Sequence, residues 1–120
     1  MIKKVNNNNN GDNSRKNNNT FFENAYSSAV KEGMKILGDD VSKIVQDYIE
    51  DKYSFLIEHT SQDPKSLSEA LQFAIDGGKR IIERRIIRIL SKKLDIEYHS
   101  AELINFEKQI KEMRKRFEEK

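Results

Sequence analysis

The 120-residue chain has no cysteine and no tryptophan, and its single proline is Pro64. Without thiols, disulfides, thiolate metal sites and cysteine nucleophiles are excluded, which fits a reducing cytoplasm. With one proline, little interrupts long helices. No stretch approaches the roughly 18 apolar residues that span a bilayer. The start, MIKKVNNNNN, carries lysines but no apolar centre, so it does not resemble a secretory signal, and a cytoplasmic, non-membrane chain is expected. Histidine is scarce as well. His59 and His99 lie 40 residues apart with no second ligand at metal spacing, so no metal site is expected. Gly77-Gly78-Lys79 lacks the spacing of a phosphate loop and is better suited to an interhelical corner than to a weak anion site. No cofactor and no catalytic residue can be named.

What is present is charge and helical periodicity. Charged residues make up 35% of the chain, yet the net charge is only +2, so distribution matters more than balance. Residues 1–19 hold nine asparagines with Lys3, Lys4, Arg15 and Lys16 among them, and only Ile2 and Val5 to bury. Such a segment cannot offset its ordering entropy and is expected to form a disordered arm. The remaining length fits one domain.

Thr20-Phe21-Phe22-Glu23 has the form of a capping box that opens a first helix. Phe22, Ala25, Tyr26, Ala29, Val30, Gly33 and Ile36-Leu37 follow at helical spacing, and Gly38 is suited to end it. Asp39 or Asp40 is expected to cap a second helix. There Val41, Ile44, Val45, Tyr48, Ile49 and Tyr53 form the clearest amphipathic pattern in the chain. A connector containing Phe55-Leu56-Ile57 should tuck beneath the bundle. Asp63-Pro64 then signals a third helix, lined by Leu67, Ala70, Leu71, Ala74 and Ile75 and stopped by Gly77-Gly78.

The fourth helix, 79–94, carries Ile82, Ile86, Ile87, Ile89, Leu90 and Leu94 in an arc of about 160°. An arc that wide suits the central post of a bundle. Opposite lie Arg80, Arg84, Arg85, Arg88 and Lys92, with Ile81 stranded among them. Seven basic residues and one acid give 79–93 a local charge of +6, whereas five acids and two bases give 39–53 a charge of −3. The ridge is a candidate electrostatic surface for acidic proteins or phosphate backbones. The plainer alternative is a solvated face partly neutralised by the acidic second helix. Glu83 falls inside the apolar arc and must be paired or raised in pKa. Lys79 or a tyrosine hydroxyl could partner it, and a structural hydrogen bond is favoured over acid–base chemistry.

Beyond it, Leu103, Phe106, Ile110, Met113 and Phe117 alternate steps of three and four, a narrow heptad seam flanked by six acidic and six basic residues from Glu97 onward. A stripe this thin suits one partner helix, in the same chain or another, and is a candidate docking seam. The fold expected is all-α: about five helices, with the arm over 1–19, a domain over 20–96 and a long heptad-patterned helix over 97–120.

The order DDVSKIVQDYIEDKY, hydrophobic connector, DPKSLSEAL, double-glycine corner and IIERRIIRILSKKLDI resembles the archaeal Nitrosopumilus output domain family. The features that carry it are Asp63-Pro64, Leu67, Leu71, Gly77-Gly78, Ile82-Glu83 and Leu90 to Leu94, and the likeness covers about Phe22 to Ile96. This chain departs from the pattern with Gly78 where alanine is usual and Asp95 where glycine commonly ends the helix. The resemblance implies archaeal origin and a signal-transduction role, and supplies no catalytic residues. The expectation is therefore a non-catalytic regulatory module that binds protein partners or self-associates. The alternative is a nucleic-acid-binding protein using the basic ridge.

Overall fold

The computed structural model describes residues 10–75, 77–97 and 105–119. Among them the chain forms an all-α bundle of five helices: α1 (Asn10–Met34), α2 (Asp39–Tyr53), α3 (Pro64–Ala74), α4 (Lys79–Leu94) and α5 (Phe106–Glu118). Short 3-10 turns follow α1 at Lys35–Leu37 and precede α3 at Ile57–His59.

The first helix starts ten residues before the expected capping box. Residues 10–19, assigned to the arm from composition, continue α1. Extending an existing helix avoids the nucleation cost, and asparagine and serine cost less than about 0.7 kcal/mol each in a helix. Thr20 is therefore an exposed helix-interior residue, and Glu23 turns to tertiary partners, accepting from Gln62 Nε2 at 2.9 Å. Residues 1–9 of the expected arm lie outside the described residues.

The inner face of α1 packs most extensively on α4. Phe22, Ala25, Tyr26, Ala29 and Val30 are buried as their spacing predicts. Gly33 has a reason absent from propensity alone: a Cβ there would lie 2.6 Å from Ile86 Cγ1, so only glycine lets α1 approach α4 this closely. Met34, one turn past Val30, enters the core in the phase of α1, and the change to a 3-10 turn at Lys35 leaves Ile36 exposed.

Gly38 takes φ 87° and links this turn to α2. Neither Asp39 nor Asp40 caps α2. Both lie inside its first turn, where their charge still favours the helix dipole. Of the connector's apolar run only part tucks under the bundle: Phe55 is partly buried against the core, whereas Leu56 stays exposed because it faces away from it. Ile57 is buried, and Thr60 Oγ1 donates to the Ile57 carbonyl at 2.8 Å while lying 2.8 Å from the Tyr26 hydroxyl. Because the threonine hydrogen is already committed, the tyrosine must donate. Burial holds the Tyr26 phenol well above its ordinary pKa.

Asp63 caps α3 by accepting from Ser66 N and Ser66 Oγ, with Pro64 in the first turn. Gly77 at φ 84° makes the corner. Asp95 ends α4 in the left-handed region at φ 54°, so aspartate fills the position where glycine was expected to end the helix.

The closing helix is shorter than expected. α5 runs over 13 residues, opened by Asn105 accepting from Lys108 N at 2.9 Å. Its seam faces inward: Phe106, Ile110 and Met113 are buried in the common core, and Phe117 packs against Phe21 with ring centroids 5.5 Å apart. Leu103 lies outside the described residues. The seam is thus filled by this chain's own α1, α3 and α4, which corrects its reading as a surface for another molecule.

Candidate functional site

Two helix faces remain open once the core is closed. The first is the outer face of α4. Ile82, Ile86, Ile87, Leu90 and Leu94 are buried, as their arc requires, and this fixes the opposite arc outward. Arg80, Arg84, Arg85, Arg88 and Lys92 are all exposed along it. Among the described residues none of the five reaches a carboxylate within ion-pairing distance. The neighbouring lysine behaves differently. Lys93 bonds Glu32 of α1 at 2.9 Å and, with Ser28, holds that carboxyl below its ordinary pKa. Among the described residues no ion pair joins α2 to α4. Ile81 is 56% exposed and falls between Arg88 and Lys92 on the helical circumference.

The second open face is on α2, where residue pattern and burial part company. Ile49 is buried and Val45 and Tyr53 pack partly against the core, but Val41, Ile44 and Tyr48 are exposed, Ile44 by 66%. The apolar arc of α2 spans about 180°. The third helix and the connector cover one half of it; among the described residues no helix covers the rest. Beside the open half, within about 40° of arc, stand Asp40, Asp47 and Asp51. Asp47 makes an exposed pair with Lys43 at 3.0 Å, and the other two have no ion-pair partner among the described residues. At the end of the stripe Lys52 Nζ lies 5.5 Å from the Tyr48 ring, 5.7 Å from Tyr53 and 6.0 Å from Phe73, which is 72% exposed. Its bond to the Tyr48 hydroxyl raises the ammonium pKa. Nothing in the spacing along one helix shows that Phe73 of α3 joins this cluster.

The remaining expected site residue, Glu83, is half-buried. Its partner is neither Lys79 nor a tyrosine: Ser68 Oγ of α3 donates to Glu83 Oε2 at 2.6 Å. Burial raises the carboxyl, against the opposing Ser68 bond and the charges of Lys79 and Arg80. The bond ties α3 to α4, a structural use.

His59 is exposed on its 3-10 turn, and His99 lies outside the described residues. Among the described residues no three His, Asp or Glu side chains gather to hold a metal ion, and no buried side-chain nitrogen or oxygen lacks a hydrogen-bond partner. No described helix is long and apolar enough to cross a membrane.

These features define a class: a small all-α bundle whose outward chemistry is two oppositely charged helix faces, each with apolar side chains exposed in it. Comparison with family models, with curated proteins and with solved structures finds no match for the chain.

Proposed function

We propose that the chain is a non-catalytic regulatory interaction module that binds an acidic protein surface through the outer face of α4. The observation that carries this reading is the row Arg80, Arg84, Arg85, Arg88 and Lys92, without an ion-paired carboxylate among the described residues, on a helix whose opposite face is locked in the core. Five cations side by side repel one another, a cost that an acidic partner relieves. The arginine guanidinium, planar and weakly hydrated, is suited to carboxylates at an interface. The resemblance to the Nitrosopumilus output domain family supports a signal-transduction setting, and the cysteine-free composition fits a cytoplasmic one.

The test is titration with a labelled acidic helical peptide and, separately, a labelled DNA duplex at two salt concentrations. Saturable peptide binding that is abolished in Arg84→Glu/Arg88→Glu supports the proposal. Duplex binding that is tighter than peptide binding and falls steeply with salt transfers the ridge to nucleic acid. Binding of neither at low salt overturns both readings.

A further inference from the structure

The partner of the α4 ridge can be argued one step further, on the reading of that ridge as a protein-binding face. We infer that its acidic partner is the open face of α2 on a second copy of this chain.

The two faces match in three respects. Their charges are opposite: +6 over 79–93 and −3 over 39–53. No ion pair joins the two faces among the described residues, and the charged side chains of both are exposed. Each also places apolar side chains beside its charges. Val41, Ile44 and Tyr48 run next to Asp40, Asp47 and Asp51, and Ile81 stands between Arg88 and Lys92. The helices are of similar size, 15 and 16 residues or roughly 22–24 Å. Laid side by side, they bring the acidic rail against the arginines and Ile81 against the α2 stripe. An exposed isoleucine in a field of cations gains nothing from a purely ionic ligand, but it does from a partner that is acidic and apolar together.

One helix-on-helix contact is smaller than a standard interface. The association is therefore weak, concentration-dependent and salt-sensitive, with ion pairs setting register and Ile44, Tyr48 and Ile81 supplying apolar burial.

Sedimentation equilibrium of the full chain over a concentration series tests this. At low salt the average mass should rise above the 14.1 kDa monomer with concentration, and fall back toward it at about 0.5 M salt, where charges are screened within a few ångströms. Arg80→Glu/Arg84→Glu/Arg85→Glu/Arg88→Glu takes 79–93 from +6 to −2, so both faces are acidic, and Asp47→Lys/Asp51→Lys takes 39–53 from −3 to +1, so both are basic. Each variant alone should be monomeric, and an equimolar mixture should regain association. These positions are exposed, and circular dichroism checks that the variants fold. A wild-type mass fixed at the monomer overturns the inference while leaving the acidic-peptide result above untouched. Association that survives either reversal, or that the mixture fails to restore, overturns it equally. If the peptide also fails to bind, the ridge itself is not a protein surface.

Discussion

Gly33 of α1 and Ile86 of α4 stand so close that a methyl group on residue 33 would lie 2.6 Å from Ile86 Cγ1 and 3.5 Å from the Ile86 backbone nitrogen. Two effects of Gly33→Ala then oppose each other. Alanine favours a helix interior over glycine by about 1 kcal/mol. Overpacking against a stiff β-branched side chain typically costs about 1–3 kcal/mol. The second should win, because Ile86 is itself fully buried and has nowhere to move. Thermal denaturation of Gly33→Ala should show a lower midpoint. A higher one would mean that the helices separate at no cost.

Arg114 illustrates a different kind of joint. Its guanidinium lies 4.3 Å from the centre of the Phe22 ring while Nη1 donates to Asn19 Oδ1 at 3.0 Å and Nη2 to the Ser61 carbonyl at 3.4 Å. One planar group thus fastens α5 to α1 and to the connector. Arg114→Ala should cost about 1–3 kcal/mol through the lost stacking and hydrogen bonds. Arg114→Lys should recover little of it, since an ammonium has no planar face to lay on the Phe22 ring and one compact nitrogen in place of the two that reach Asn19 and Ser61. Urea denaturation of the two variants checks this. Full recovery with lysine would reduce the joint to simple charge.

What could be read from residue order was set by local chemistry. Asp63-Pro64 marks the start of α3 because cap and proline act within one turn, and the isoleucine arc of α4 marks a central helix because no other placement buries it. The start of α1 was not legible: asparagine neither stops nor strongly favours a helix, so composition pointed to an arm where a helix continues. Nor was the exposure of Val41, Ile44 and Tyr48. Amphipathic spacing says which side chains share a face, but whether a neighbour covers them depends on where α3 and α5 lie. Nor could spacing decide between the two partners open to the docking seam: Phe106, Ile110 and Met113 fill a groove of their own bundle, made by helices that only the fold brings together. Helical spacing puts Arg80, Arg84, Arg85, Arg88 and Lys92 on one arc, but the absence of an ion-paired carboxylate among the described residues is a tertiary fact. It depends on Glu32 choosing Lys93 and on α2 lying away from α4.

Glu83 gives a pH dependence whose sign can be worked out. Burial raises its folded-state pKa above the ordinary 4.5, despite Ser68, Lys79 and Arg80. The folded chain then holds the proton more tightly than the unfolded chain. Its contribution is complete below the ordinary value and is lost as pH rises through the folded one. Glutamine keeps an oxygen for the Ser68 hydroxyl and carries no charge. Glu83→Gln should therefore be more stable than the wild type at neutral pH, with the difference shrinking toward about pH 4. Denaturation at both pH values measures it. A glutamine variant less stable at neutral pH would show that the Ser68 bond to the charged form outweighs burial.

The inward seam of α5 leads to the opposite result from that expected of a coiled-coil strand. Ile110 and Met113 are buried among residues of this chain, Ile110 by all but 1%. Ile110→Ala should therefore act on folding and not on assembly, costing about 2–5 kcal/mol through lost transfer energy and the cavity left behind. For a bundle of this size that lowers the melting midpoint by more than about 8 °C. The measurement belongs in high salt, where attraction between charged faces is screened. There the midpoint of wild type and variant alike should not depend on protein concentration, as a seam shared between chains would require. A variant with an unchanged midpoint but a smaller sedimenting mass would show that the seam serves another molecule after all.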